Sequence, residues 1–202
     1  MNARAPRILL TGFMCAGKTT VARSLAARLG CDMLDTDAVV VEREGRSIEA
    51  IIDADGEARF RQLETGALRD ALERRGDACV IALGGGAWTI EENRALIAAA
   101  RDCLTVWLDA PFELCWRRIS DAAGEHTRPL ARERERAHAL YTARRSTYAL
   151  AALRVQASEG RSAEDTAAEI VSLIARQNFS DEHEGREGKK TIWLNTTRTP
   201  KP

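Results

Sequence analysis

The chain has 202 residues, enough to bury a substantial core in one domain with or without a tail. Thirty basic residues balance thirty acidic ones, so no overall field draws it to nucleic acid or to an anionic membrane. Its apolar runs are too short to span a bilayer, and its basic N-terminus lacks the apolar region of a signal peptide. Cys15, Cys31, Cys79, Cys103 and Cys115 are odd in number, widely spaced and without metal-ligand pairs. Reduced, buried thiols and a cytoplasmic setting are therefore expected.

Residues 1–6 read as a frayed lead-in. Ile8 to Leu10 is a short apolar run, expected to be a buried strand. It breaks into Gly12-Phe-Met-Cys-Ala-Gly17-Lys18-Thr19, which matches the phosphate-binding pattern G-x-x-x-x-G-K-[ST]. Val21, Leu25 and Leu29 then recur at every fourth residue, one face of a helix, and Gly30 supplies its stop. A strand before and a helix after are the context this motif needs. Backbone N–H groups of such a loop converge on an anion, where the helix dipole also favours negative charge. Lys18 adds a mobile charge for the outer phosphates, and the Thr19 hydroxyl can ligate Mg²⁺. A nucleoside triphosphate is therefore expected along Gly12, Cys15, Ala16, Gly17, Lys18, Thr19 and Thr20.

Further on, Cys31 to Asp35 reads as a short strand ending in Asp35-Thr-Asp37. Ala38 to Glu44 looks helical and stops at Gly45, and Ser47 suits the N-cap of a second short helix through Ile51 and Ile52. After Gly56, Glu57 to Arg75 is a long helix with Phe60, Leu63, Ala67 and Ala71 in one stripe. Arg61 and Glu64 lie off that stripe, close enough to pair. Ala78 to Leu83 is a continuous apolar run, as in a strand covered on both faces. It ends in Gly84-Gly85-Gly86, where backbone can approach a ligand closely. A helix from Ile90 to Ala100 and a buried strand from Leu104 to Leu108 follow, and Pro111 suits the first turn of the next helix. From Ser120 to Ala131 the apolar face is lost, which marks a functional or disordered loop. Residues 132–146 resume as a charged helix, Ala151 to Gln156 suits a last strand, and Ser162 with Asp165 resembles a capping box for a helix carrying Ile170, Leu173 and Ile174. Residues 177–202 read as a flexible tail behind a domain of residues 1–176.

Alternating strands and helices imply right-handed crossovers, hence a three-layer α/β/α fold around a parallel sheet of about five strands. Ligands gather at the carboxyl ends of such strands, so the glycine-rich loop, Asp35-Thr-Asp37 and the triple glycine should share one crevice. Phosphoryl transfer is mostly positioning and charge neutralisation. It needs a cradle, a metal, an acceptor site and mobile cations. Asp35 suits the metal's water shell and Asp37 an acceptor hydroxyl, although each also suits a helix N-cap. Arg128, in the 120–131 loop, suits a lid cation.

These residues resemble the shikimate kinase family from about residue 8 to 175. The likeness rests on Gly-Phe-Met-x-Ala-Gly-Lys-Thr-Thr, Asp35-Thr-Asp37, Gly45-x-Ser-Ile48, Gly56-Glu-x-x-Phe-Arg61-x-x-Glu64, Gly84-Gly-Gly86, Arg128-Pro-Leu130 and Arg144-x-x-x-Tyr148. It implies a P-loop kinase fold with a lid, transferring the ATP γ-phosphate to the 3-hydroxyl of shikimate. Asp37, Arg61, Arg144 and the glycines 84, 85 and 86 (Gly84, Gly85, Gly86) would then bind shikimate. Lys18, Asp37 and Arg128 would be catalytic, Thr19 and Asp35 would serve Mg²⁺, and Arg118 would line the nucleotide side. The arginines suit a carboxylate, to which guanidinium presents a two-pronged fork.

Three positions depart from the family pattern: Cys15 replaces a loop glycine, Ala131 replaces a leucine, and the proline between the matching arginine and tyrosine is absent from Arg144-Arg-Ser-Thr-Tyr148. The expected enzyme is a cytoplasmic monomer with ATP and shikimate as partners, using neither nucleic acid nor membrane. Two alternatives stand beside it. One is a kinase for another small polyhydroxy acid such as gluconate; the other is a related binding protein that has lost turnover.

Overall fold

The computed structural model describes residues 7–73, 78–100, 102–121 and 133–183, with backbone alone for 78, 79 and 177–183. Among these residues five short strands, β1 (Arg7–Thr11), β2 (Asp32–Asp35), β3 (Ala78–Ala82), β4 (Cys103–Asp109) and β5 (Leu153–Gln156), pair in parallel in the order β2-β3-β1-β4-β5. All five positions of the central β1 are buried, which explains its run of apolar residues with no polar face.

Side chains alternate across β1 and so divide the core. Ile8 and Leu10 pack with Val21 and Leu25 of α1 (Lys18–Leu29) and with Ile170 of α8 (Ala163–His183). Leu9 points the other way, among Leu68 of α4 (Glu57–Glu73), Ile97 of α5 (Glu91–Ala99), Cys115 of α6 (Phe112–Asp121) and Tyr148 of α7 (Arg134–Tyr148). Helices thus cover both faces of the sheet, the three-layer arrangement its alternating pattern requires. Ile8, Leu9 and Leu10 are almost wholly buried, and truncating one to alanine would cost about 2–5 kcal/mol. A smaller cluster, Val40, Ile51, Phe60 and Ala67, joins α2 (Thr36–Glu44) and α3 (Ile48–Asp55) to α4.

Local signals set most helix ends. Gly30 and Gly45 close α1 and α2 in the left-handed conformation. The Ser47 hydroxyl accepts from the Ala50 N–H at 3.2 Å. Ser162 accepts from the Asp165 N–H at 2.9 Å while donating to its carboxylate at 2.8 Å.

Several boundaries differ from the sequence reading. The side chain of Asp35 accepts from the N–H groups of Asp37 and Ala38. That cap starts α2 at Thr36 rather than Ala38 and places Asp37 in the first helical turn. A 3-10 turn at Ala87–Thr89 follows the triple glycine. The charged helix runs past 146 to Tyr148, because Tyr148 is buried and anchors its last turn. The last helix also continues to His183, seven residues into the stretch expected as a tail, with no proline or glycine to stop it before Gly185. Cys15, Cys103 and Cys115 are free thiols as expected, but Cys31 is disulfide-bonded. Pairing of β2 with β3 brings the start of one strand beside the start of the other, a proximity that sequence spacing does not reveal. No helix among the described residues is long and apolar enough to cross a membrane.

Candidate active site

The loop between β1 and α1 is built by backbone geometry that side chains oppose. Gly12 has φ 140°, and a Cβ there would lie 2.5 Å from the Leu108 carbonyl oxygen, so only glycine fits. Gly17, with φ 99°, turns the chain into α1. Cys15 also adopts a left-handed conformation, φ 57°, where a side chain costs roughly 1–3 kcal/mol. The Lys18 ammonium is drawn across the loop, donating to the carbonyls of Gly12 at 3.0 Å and Phe13 at 2.9 Å. Arg118, from α6, donates to the Cys15 carbonyl at 3.0 Å. Around them opens a cavity of about 460 Å³, lined by Cys15, Ala16, Gly17, Lys18, Thr19, Thr20 and Arg118 and closed opposite by residues 157–166.

A second cavity, about 400 Å³, lies beside the first, and three helices bring charged side chains to it: Asp37 from α2, Arg61 and Glu64 from α4, and Arg144 from α7. Gly85 and Gly86 form its floor. A Cβ on Gly86 would stand 2.6 Å from the Arg61 guanidinium, so the missing side chain is what lets that arginine lie against the backbone. Thr19, Asp35, Asp37 and Gly85 line both cavities and are their common wall. The cavity at the glycine-rich loop thus adjoins, across a wall holding two carboxylates, a pocket with two arginines.

The shikimate kinase family model matches residues 14–175, the stretch that carries both cavities. The chain belongs to the shikimate kinase family. A shikimate kinase from Geobacter sulfurreducens is 42% identical over 170 residues, covering 83% of this chain and 90% of that protein. The solved structure of the Acinetobacter baumannii shikimate kinase in complex with shikimate aligns with TM-score 0.78 and 33% identity, over 86% of this chain and 94% of that one. A gluconokinase from Sinorhizobium meliloti aligns with TM-score 0.57 and 15% identity over 92% of this chain and 100% of that one, a likeness of fold alone.

The groups around the second cavity are held by neighbours of which the sequence reading had named only Glu64, for Arg61. Arg61 donates to Glu64 at 2.8 Å and to Glu57 at 2.9 and 3.2 Å, with its guanidinium 5.1 Å from the centre of the Phe60 ring. Phe60 itself belongs to the core and also edges the cavity. The Gly85 carbonyl accepts from Arg144 at 3.4 Å and from the Tyr148 hydroxyl, and Trp88 donates from Nε1 to the Thr147 carbonyl at 2.9 Å. The last turn of α7 is therefore docked on the triple-glycine segment. Burial pushes the Tyr148 hydroxyl up to about 12, so it stays a donor well into the alkaline range. Thr36 accepts from the Gly84 N–H at 3.0 Å and donates to the Ala82 carbonyl at 3.4 Å, tying α2 to the end of β3. On the far side of α7, Asp109 pairs with both Arg145 and Arg154, whose guanidinium groups lie about 5 Å from the centre of the Trp107 ring.

Glu64 is the largest revision. It lies off the apolar stripe and pairs with Arg61 as expected, yet it is 0% exposed. Burial, only partly opposed by Arg61 and reinforced by Asp37, pushes its carboxyl up to about 7. The family motif ending in Glu64 singled out the residue, but nothing in the sequence signalled its burial. Arg128, with all of residues 122–132, lies outside the described residues.

Proposed function

We propose that this chain transfers the γ-phosphoryl group of ATP to the 3-hydroxyl of shikimate. The observation that carries the reading is the wall shared by the two cavities. It puts Asp37 between the phosphate cradle and a pocket whose arginines, Arg61 and Arg144, suit one carboxylate. With the acceptor's carboxylate held there, Asp37 accepts the hydroxyl proton as the oxygen attacks, while Lys18 and Arg118 balance charge on the phosphates. Arg128 is proposed as a further phosphate cation from the lid.

Mg²⁺ fits the oxygen donors Thr19 and Asp35, whose side chains meet at 2.6 Å beside the cradle. When bound it would neutralise charge on the outer phosphates. The proposed enzyme is a cytoplasmic monomer acting on small soluble substrates, and one chain supplies the lining of both cavities.

The test is coupled ADP release with shikimate, with gluconate and with no acceptor. Turnover above background on shikimate alone is the expected result. Turnover on gluconate would overturn the acceptor, and none on either would assign the chain to binding without catalysis.

A further inference from the structure

Two acidic side chains meet behind the acceptor cavity, and the meeting has a chemical consequence. A Cβ placed on Gly84 would lie 2.0 Å from Glu64 Oε1 and 2.4 Å from Asp37 Oδ1, so both oxygens crowd the same point over that glycine. Glu64 Oε2 accepts from Arg61, but Oε1 is buried and has no hydrogen-bond partner. A buried acceptor left so, facing a second carboxylate, costs several kcal/mol if both groups are ionised. One proton between them turns the repulsion into a charge-assisted hydrogen bond.

We propose that Glu64 is a positioning residue: protonated on Oε1, it donates to Asp37 Oδ1, leaving the other carboxylate oxygen of Asp37 for the acceptor hydroxyl. The proton resides on Glu64 because Glu64 is the more deeply buried of the two, whereas Asp37 lines both cavities. The charged groups facing Glu64 are Arg61 on its own helix, Asp37 from α2 and Arg144 from α7; from the β3 side it meets the backbone of Gly84. The perturbation of Glu64 to about 7 makes this proton exchangeable near neutrality. A simpler role, in which Glu64 only pairs with Arg61, leaves Oε1 and the crowding over Gly84 unexplained.

The consequence for binding rests on the proposed acceptor reading. A carboxylate arriving at Arg61 and Arg144 adds negative charge near Glu64 and shares the cation that had offset it. Protonated Glu64 is thereby favoured, so acceptor binding takes up a proton at pH values where the empty site has lost it.

Three measurements test this. Infrared difference spectra of wild type against Glu64→Gln should show a protonated-carboxyl C=O stretch at about pH 6 that is gone by about pH 8.5. This readout needs no acceptor, and its absence overturns the proposal whatever the substrate is. Calorimetry of shikimate binding in two buffers of different ionisation enthalpy should show proton uptake by wild type at about pH 8. The acceptor KM should rise about tenfold between about pH 7 and about pH 8.5 in wild type, stay flat in Glu64→Gln, and leave the ATP KM unmoved in both. Glu64→Gln preserves a donor toward Asp37 and an acceptor for Arg61. If it raises the acceptor KM equally at every pH and wild type takes up no proton, Glu64 is only a structural partner of Arg61. Failure of the shikimate reading looks different: no binding heat and no turnover, with the infrared band still deciding the fate of Glu64.

Discussion

Thr19, in the first turn of α1, donates its hydroxyl to Asp35 Oδ2 at the end of β2 at 2.6 Å, within the wall shared by the two cavities. The other oxygen of Asp35 simultaneously caps α2. The N-cap and metal readings of Asp35 are therefore compatible, each using a different oxygen.

That division of labour predicts a separation of effects. Asp35→Asn keeps a capping oxygen, and asparagine caps about as well as aspartate, so the thermal midpoint should barely move. Loss of the charge should still lower Mg²⁺-dependent turnover by about a hundredfold, the scale for removing one group that stabilises the transferring phosphoryl. Asp35→Ala should add a stability loss of about 1 kcal/mol. Steady-state rates across a Mg²⁺ titration, with thermal melts, check both. Full activity in Asp35→Asn would remove Asp35 from the metal site.

Arg61 and Arg144 reach the acceptor cavity from different helices, and each is held by backbone or carboxylate neighbours. Lysine at either position keeps the charge but loses the planar fork. Arg61→Lys and Arg144→Lys should each raise the shikimate KM by about tenfold or more, roughly one charge-assisted hydrogen bond, with the ATP KM nearly constant. An equal rise in both constants would move these arginines to the nucleotide side or to the scaffold.

Cys15 supplies a third contrast. Its backbone is left-handed, and its side chain is half-buried at the edge of the nucleotide cavity. Cys15→Gly relieves that backbone strain, so it should stabilise the fold by about 1 kcal/mol and leave turnover intact. A thiol-alkylating reagent should inactivate the wild type with ATP protecting, and Cys15→Gly should resist. Inactivation of the variant at the wild-type rate would assign the effect to another thiol.

Glu64 also makes stability depend on pH. Its folded-state value, about 7, stands above the ordinary 4.5. Below the ordinary value both folded and unfolded chains hold the proton. As pH rises toward 7 the unfolded chain releases it first, so Glu64's contribution falls by at most roughly 3 kcal/mol and then levels off. Glu64→Gln should therefore gain stability relative to wild type between about pH 5 and about pH 8 in urea unfolding. A difference independent of pH would mean that Glu64 is ionised throughout.

What could be read directly from the chain was local. The glycine-rich loop is one continuous segment, and the bonds of Lys18 to Gly12 and Phe13 join residues a few positions apart, although Leu108 and Arg118 reach the loop from elsewhere in the fold. The caps at Ser47 and Ser162 and the glycine stops at Gly30 and Gly45 are equally short-range. Asp37 stood out as a carboxylate just after a strand, but Arg61 and Arg144 were reached through a family resemblance, because no spacing links residues that converge from different helices.

Tertiary packing alone decided the rest. The order β2-β3-β1-β4-β5 sets Gly84 beside both Asp37 and Glu64, although the motif that contains Glu64 says nothing of burial. Asp109 with its two arginines and the Tyr148 contact with Gly85 join positions far apart in sequence. Helical periodicity marks the face a helix turns toward its core, but a polar residue off that face is buried or exposed according to which neighbour arrives. For Glu64 the neighbours are the end of β3 and the first turn of α2, and only the fold brings them there.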